Sequence, residues 1–205
     1  PQDDLPAASR YYQMAHDADP ENLRYPEMLA ESYRQLGMHD RVLSVLETHV
    51  QRPGYQPPSV VHMTMGESYL AQGRLRTAIQ CFQKAVEENP RSAETWRALC
   101  GAYLAEGSYR SAIEAGRNAE TINPDDTETA ILLGYALLRN GDDKQALFVL
   151  RSAYAQKPND ALVLCVLGKA LHEQGRVDEA RQLYDRARRI DPDLTVAGVM
   201  ADRMP

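Results

Sequence analysis

Cysteine is scarce in this chain. The 205 residues include three cysteines, with no CxxC pair, at Cys81, Cys100 and Cys165. An odd number without that spacing argues against a disulfide framework and against a zinc ribbon. Unpaired cysteines favour a reducing, cytoplasmic compartment. Because buried cysteines also occur as small core residues in exported proteins, a periplasmic or membrane-anchored parent protein stays open.

Long apolar runs and an excess of positive charge are also missing. No apolar run approaches the roughly 20 residues that a helix needs to cross a bilayer, so we expect no direct insertion into a membrane. The formal net charge is -6, whereas a nucleic-acid-binding domain normally carries a basic balance or stripe. We therefore expect no nucleic-acid partner.

Motifs for catalysis and for metal binding are absent as well. The sequence contains no GxGxxG, GxxxxGK[ST], GxSxG or HExxH, and HEQGR at His172 lacks the second histidine of the last motif. The five histidines are scattered, with no pair four residues apart. Adjacent carboxylates such as Glu87 and Glu88 lie at predicted helix ends or turns. We expect no enzymatic activity, cofactor or metal site in these residues.

What the chain does have is a period of 34 residues. Glycines recur at intervals of 36, 34, 34 and 34 residues, at Gly37, Gly73, Gly107, Gly141 and Gly175. Prolines recur every 34 residues, at Pro90, Pro124, Pro158 and Pro192. Alanines do so twice, at Ala78, Ala112, Ala146 and Ala180 and at Ala85, Ala119, Ala153 and Ala187. Such a period is the signature of stacked structural repeats.

Each period predicts a hairpin of two helices. In SAETWRALCGAYLAEGSYRSAIEAGRNAETINP, apolar spacings of three, one and three residues predict one helix face, at Trp96, Leu99, Cys100 and Tyr103. Gly107 follows where a left-handed residue must end that helix. A second helical stripe comes next, at Tyr109, Ala112, Gly116 and Ala119. Pro124 cannot continue a helix and therefore closes the unit.

These residues resemble the tetratricopeptide repeat (TPR). The clearest copies are HMTMGESYLAQGRLRTAIQCFQKAVEENP, TWRALCGAYLAEGSYRSAIEAGRNAETINP, AILLGYALLRNGDDKQALFVLRSAYAQKP and LCVLGKALHEQGRVDEARQLYDRARRIDP. The resemblance implies an all-α fold, a right-handed α-α superhelix (solenoid) of helix hairpins whose first helices line a concave face. Cys100 departs from the pattern by replacing the first-helix glycine of its repeat.

We predict a single array over residues 1–205, with about five full repeats and partial ends. Its parts are a second helix of a partial repeat at 1–22, full repeats at 23–58, 59–92, 93–126, 127–160 and 161–194, and a tail or the start of a further helix at 195–205. Because both ends are incomplete, we expect the chain to be a segment of a longer array or a multidomain protein.

One stretch breaks the regularity. HVQRPGYQPPS, residues 49–59, contains three prolines and a glycine and accounts for a two-residue insertion near 50–58. Because the period continues on both sides, we interpret it as an elongated turn and not as a domain linker. His49 replaces an alanine found in five other copies. We therefore expect repeat 23–58 to pack on repeat 59–92 differently from the other junctions.

A partner-binding surface follows from the helix geometry. In each first helix, repeat positions 2, 5, 9 and 12, together with 13, lie opposite the packing stripe, since steps of three and four residues keep to one face. Those positions are polar in repeat 23–58 but often apolar later. We predict a concave groove that binds a partner through Met63, Glu67, Leu70, Arg97, Gly101, Leu104, Ile131, Tyr135, Leu138, Leu162, Cys165 and Lys169.

Two functions are compatible with this groove. Exposed apolar side chains usually mark an interaction surface, which favours a module that binds a peptide or helix of a protein partner, oriented by Glu67, Arg97 and Lys169. The other reading closes the groove by superhelical winding, a neighbouring molecule or the tail. The chain would then be a spacer or self-associating scaffold that acts through its convex face or ends, for example in bacterial envelope, pilus or polysaccharide secretion machinery. No repeat carries the Lys and Asn of a carboxylate clamp.

Overall fold

The structure, a computed structural model, describes residues 5–20, 22 and 24–192, and all regular secondary structure in them is α-helical. The helices are α1 (Leu5–Ala18), α2 (Arg24–Gln35), α3 (His39–Val50), α4 (Ser59–Ala71), α5 (Leu75–Glu88), α6 (Ala93–Glu106), α7 (Tyr109–Ile122), α8 (Thr127–Asn140), α9 (Asp143–Gln156), α10 (Ala161–Glu173) and α11 (Val177–Ile190). The predicted tail, residues 195–205, lies outside the described part of the chain. None of the described helices is long and apolar enough to span a membrane.

The helices form two compact units that divide after Pro90. In the first unit, α1 packs on α2, and the hairpins α2–α3 and α4–α5 follow. In the second unit, the hairpins α6–α7, α8–α9 and α10–α11 stack in chain order, because α7 contacts α8 and α9 contacts α10. Each hairpin thus buries an apolar stripe that a lone helix would leave exposed.

In the hairpins α6–α7 and α8–α9, a glycine follows directly after the last residue of the first helix. Gly107 and Gly141 have φ of 84° and 86°, a left-handed conformation that other residues adopt only with strain. After Gly107, the amide of Ser108 donates to the carbonyl of Tyr103 at 2.9 Å. This bond satisfies a carbonyl that the helix end would leave without a partner. The left-handed conformation predicted for Gly107 is confirmed.

Small residues let the two helices of a hairpin approach closely. A Cβ atom placed on the first-helix glycine would lie 2.5 to 2.8 Å from a bulky side chain of the second helix, in the pairs Gly66 with Phe82, Gly134 with Leu150 and Gly168 with Tyr184. Real Cβ atoms do not approach other atoms this closely. Each of these hairpins therefore depends on a glycine in one helix and a large residue sixteen positions later in the other.

In the hairpin α6–α7, the glycine lies on the second helix and the larger residue lies on the first helix. Cys100 holds the glycine position on α6, and Gly116 holds the bulky position on α7. A Cβ atom on Gly116 would lie 3.3 Å from Sγ of Cys100 and 3.2 Å from Leu133. The cysteine, which is 1% exposed, therefore occupies the space that a large second-helix residue fills in the other hairpins. The departure seen at Cys100 in the sequence is one half of a compensated pair.

The elongated turn of the first unit is filled by an aromatic contact. His49 is buried, and its ring centroid lies 4.2 Å from that of Tyr55. The Tyr55 hydroxyl donates a 2.6 Å hydrogen bond to the Glu27 carboxylate on α2. Burial, together with that carboxylate, raises the pKa of Tyr55. The inserted residues thus tie the end of α3 to α2, while a distinct packing angle at this junction stays a prediction.

Candidate functional site

The first helices of the second unit lie side by side. α6 contacts α8, and α8 contacts α10. The second helices α7, α9 and α11 instead pack mainly against first helices and little against one another. The first helices therefore line the inner side of this unit, and the second helices line its outer side. We call the inner side the first-helix face; its accessible polar residues are Glu94, Arg97, Glu128, Arg139, Lys169, His172 and Glu173.

Most apolar residues predicted to face a partner on this surface are covered. The structure buries six of them, namely Gly101, Leu104, Tyr135, Leu138, Leu162 and Cys165. Ile131 is half-buried, as are Met63 and Leu70 in the first unit. The expectation of free apolar side chains was therefore wrong for five residues, namely Leu104, Tyr135, Leu138, Leu162 and Cys165. Side chains from neighbouring first helices pack together at this spacing, so the helix face that points inward is largely closed.

Arg97 joins α6 to the start of α8. Its Nη1 atom lies 2.9 Å from Oδ2 of Asp126 and 3.3 Å from Oε2 of Glu128. Asp126 also caps α8, since its Oδ1 accepts the amide of Glu128 at 3.2 Å and its Oδ2 accepts the hydroxyl of Thr129 at 2.7 Å. Burial acts to raise the pKa of Asp126, but the hydrogen bonds from Thr129 and Arg97 outweigh it and lower that pKa. The Arg97 guanidinium is thereby held in place at the surface.

Arg139 covers the aromatic part of the same face. One nitrogen donates to the Tyr135 hydroxyl at 2.9 Å, and another donates to the Tyr109 hydroxyl. The guanidinium also lies 4.7 Å from the centre of the Tyr109 ring. The hydrogen bond to Tyr135 raises the pKa of Arg139. Tyr135, predicted as a free contact residue, instead fixes a cation above it.

Lys169 is oriented by a carboxylate on its own helix. Its Nζ atom lies 2.8 Å from Oε1 of Glu173, and the two side chains are 27% and 34% exposed. Such a pair four residues apart on a helix costs little to break, because water screens it. Both charges remain available for contacts outside the chain.

The first unit carries a separate cluster of charge. Arg34 makes two 2.8 Å hydrogen bonds to the Glu31 carboxylate and a 3.4 Å contact with Glu67. The hydrogen bond from Arg34 lowers the pKa of Glu31. Glu67, predicted to orient a partner, is thus already in contact with a cation on the neighbouring first helix.

The described residues offer neither a metal-binding cluster nor an accessible thiol. No group of three or more His, Cys, Asp or Glu side chains is placed to hold a metal in residues 5–20, 22 and 24–192. All three thiols are buried, and burial raises their pKa, to about 11 for Cys81 and about 12 for Cys100. A thiol protonated at neutral pH is a poor nucleophile.

The sequence pattern has a counterpart among known families. The profile described as the Cilia and flagella-associated protein 70 C-terminal domain, a TPR domain, matches residues 3–201. The chain belongs to this family. A comparison with curated proteins gave no significant match. The TPR recognition made from the glycine, proline and alanine periods is therefore confirmed.

Solved TPR structures share the fold of this family member. YrrB, described as a TPR protein with an unusual peptide-binding site, has a TM-score of 0.78 at 18% identity, covering 93% of this chain and 97% of that one. The C-terminal part of a TPR protein from Cytophaga hutchinsonii has 0.73 at 18%, covering 91% and 74%. MamA MSR-1 has 0.71 at 18%, covering 83% and 97%. The predicted all-α, α-α superhelix fold class is confirmed.

Membership of this family sets the broad function. TPR domains are generally protein–protein interaction modules and are typically non-catalytic, and no enzyme family is evident for this chain. The residues that would contact a partner stay a prediction.

One feature outside the predicted groove escaped the sequence reasoning. Phe148 lies on the second helix α9 and is 78% exposed. The predicted groove consists of first-helix positions, and Phe148 lies on a second helix. A comparison of equivalent second-helix positions would have singled it out.

Proposed function

We propose that this family member binds a segment of a partner protein against the first-helix face of its second unit, without catalysing a reaction. The predicted site residues on that unit then divide into two groups. Arg97, Ile131 and Lys169 contact the partner, while the six buried residues support them from beneath.

The observation that carries the proposal is the arrangement of accessible charge above a closed apolar layer. Arg97 lies on α6 and Glu128 lies in the first turn of α8, and the two side chains are in contact. Lys169 and Glu173 lie on α10. Half-buried Ile131 offers apolar contact on α8. The Arg97 guanidinium, which Asp126 holds in place, loses little freedom on binding. Charge patterns of this kind give an interface its orientation and its association rate.

Accessible residues provide the test. Replacing Leu104 or Tyr135 with Glu would place a charge in a buried layer and unfold the hairpins, so those changes cannot separate binding from folding. The double variant Arg97→Gln/Lys169→Gln instead removes two accessible charges. The matched control is Arg181→Gln, which removes an exposed charge from the second helix α11.

The wild type, the double variant and the control would each be immobilised and exposed to the same cell extract. The proteins that each one retains would then be identified and quantified. We expect proteins retained by the wild type and the Arg181 control to fall roughly tenfold with the double variant, and to elute as salt rises. Circular dichroism must show equal helicity and melting. Identical retention by all three proteins would contradict the proposal.

The scaffold alternative makes a different prediction. A self-associating array that uses its outer side or its ends would form oligomers as concentration rises, and the Arg97→Gln/Lys169→Gln variant would still form them. Light scattering across a concentration series measures this. Oligomers of that kind, together with an absence of captured partners, would favour the scaffold over the binding module.

A further inference from the structure

Phe148 breaks the pattern of the second helices. It lies on the solvent side of α9 and is 78% exposed. The equivalent positions, one repeat period apart, are polar and exposed in the other hairpins, at Ser44, Gln80, Glu114 and Gln182. An exposed aromatic ring gains nothing for folding here, since polar residues serve the same position four times. A single exposed apolar residue is common on protein surfaces, so the significance of this ring depends on what lies beside it.

A groove lies beside this ring. A depression of about 330 Å³ opens between α7 and α9, with Leu133 and Leu137 of α8 as its floor. Phe148 and Val149 form part of one wall. We call this depression the outer groove, because it lies on the second-helix side of the unit. Its apolar floor and wall are typical of a surface that receives one large side chain.

The edge of the outer groove is positively charged. Arg117 on α7 and Lys144 on α9 line it from opposite sides, against one carboxylate, Glu120. Arg117 donates to the neutral side chain of Gln145. Within the described part of the chain, neither Arg117 nor Lys144 forms a salt bridge. Two cations without carboxylate partners, on either side of an apolar depression, complement an anionic ligand with an apolar residue.

We propose that the outer groove docks an acidic segment of a partner protein. One large apolar side chain of that segment packs against Phe148, and its carboxylates pair with Arg117 and Lys144. This site is distinct from the first-helix face, since it opens between α7 and α9 on the opposite side of the unit. The single unit can therefore engage partners on both sides.

An array of short synthetic peptides tests the proposal. Each peptide carries one Leu or Phe flanked by Asp and Glu, and is matched by peptides with Asn and Gln in place of the acids, or Ser in place of the apolar residue. We expect the acidic peptides with the apolar residue to bind the wild-type chain best. Phe148→Gln, which installs the residue found at Gln80 and Gln182, should weaken that binding roughly tenfold or more.

Two further variants complete the design. Lys144→Gln should weaken binding of the acidic peptides and leave that of the neutral peptides unchanged. Val177→Gln removes another exposed apolar side chain, 45% exposed on α11, and should bind as the wild type does. The Arg97→Gln/Lys169→Gln variant should also retain binding, which separates this site from the first-helix face.

Several outcomes would overturn the proposal. Equal binding of acidic and neutral peptides would remove the role of charge, and wild-type binding by Phe148→Gln would remove the role of the ring. Sedimentation equilibrium must be run on the same proteins. A wild-type dimer that Phe148→Gln abolishes would show that a second copy occupies the groove, against the occupant proposed.

Discussion

Cys100 on α6 and Gly116 on α7 should show a coupling free energy of unfolding in a double-mutant cycle. The perturbations are Cys100→Gly, Gly116→Leu and the two together, the last of which restores the arrangement of Gly134 and Leu150. Gly116→Leu alone places a Cβ atom 3.3 Å from the Cys100 sulfur before its remaining carbons are counted. Overpacking of this kind destabilises a core by roughly 1–3 kcal/mol.

The opposite single change leaves a space. Cys100→Gly removes a fully buried side chain, which costs about 1 kcal/mol in lost apolar burial, and it places a glycine within a helix, which costs about 1 kcal/mol more. The losses of stability of the two single variants therefore sum to roughly 4 kcal/mol. The double variant fills the space from the other helix but keeps the 3.2 Å approach to Leu133, so it should lose about 2 kcal/mol. The expected coupling is then about 2 kcal/mol, within the range for residues in contact.

Urea unfolding provides the measurement. Trp96 is the one tryptophan of the chain and lies on α6, so its fluorescence reports on the hairpin that is changed. Circular dichroism follows the remaining helices. The control pair, Cys165→Gly with Gly116→Leu, combines residues from α10 and α7 and should be additive within about 0.5 kcal/mol. Additive losses for the Cys100 and Gly116 pair would refute the compensation.

The α8 cap, the three thiols and the His49 ring can each be perturbed separately. Asp126→Ala should cost about 1–2 kcal/mol of stability at pH 7 through loss of the α8 cap. Because the folded pKa of Asp126 is lowered, the wild-type advantage should begin to fall below about pH 4 and be lost as pH passes that lowered pKa in acid titrations of unfolding. Native protein should react with a thiol reagent far more slowly than urea-unfolded protein, and one fast native thiol would contradict the burial of all three. His49→Ala removes the ring beneath Tyr55, so it should lower the melting temperature, while Tyr11→Ala, at a side chain 67% exposed, should not.

The hairpins could be predicted from the sequence because their determinants are local. A glycine with positive φ, such as Gly107, ends a helix through its own backbone, and an apolar stripe on one helix face identifies the packed side. Both signals lie within one repeat. They required no knowledge of how one hairpin meets the next.

The state of the first-helix face could not be predicted in the same way. Helical spacing assigns Leu104 and Tyr135 to the inner side of their helices, but burial there depends on the distance between neighbouring first helices. That distance depends on contacts between successive hairpins, such as those of α6 with α8, and the pattern within one repeat does not contain them. Phe148 was missed for another reason, since periodicity draws attention to shared residues and this one differs from its equivalents.

The closed apolar layer beneath Arg97, Ile131 and Lys169 has a thermodynamic consequence. A partner that docks on this face removes little additional apolar surface from water, because the chain has already done so by folding. Its binding should have a small heat-capacity change. Affinity and fold are then governed by different side chains, so the charges of this surface can diverge between relatives while the layer that supports them stays the same.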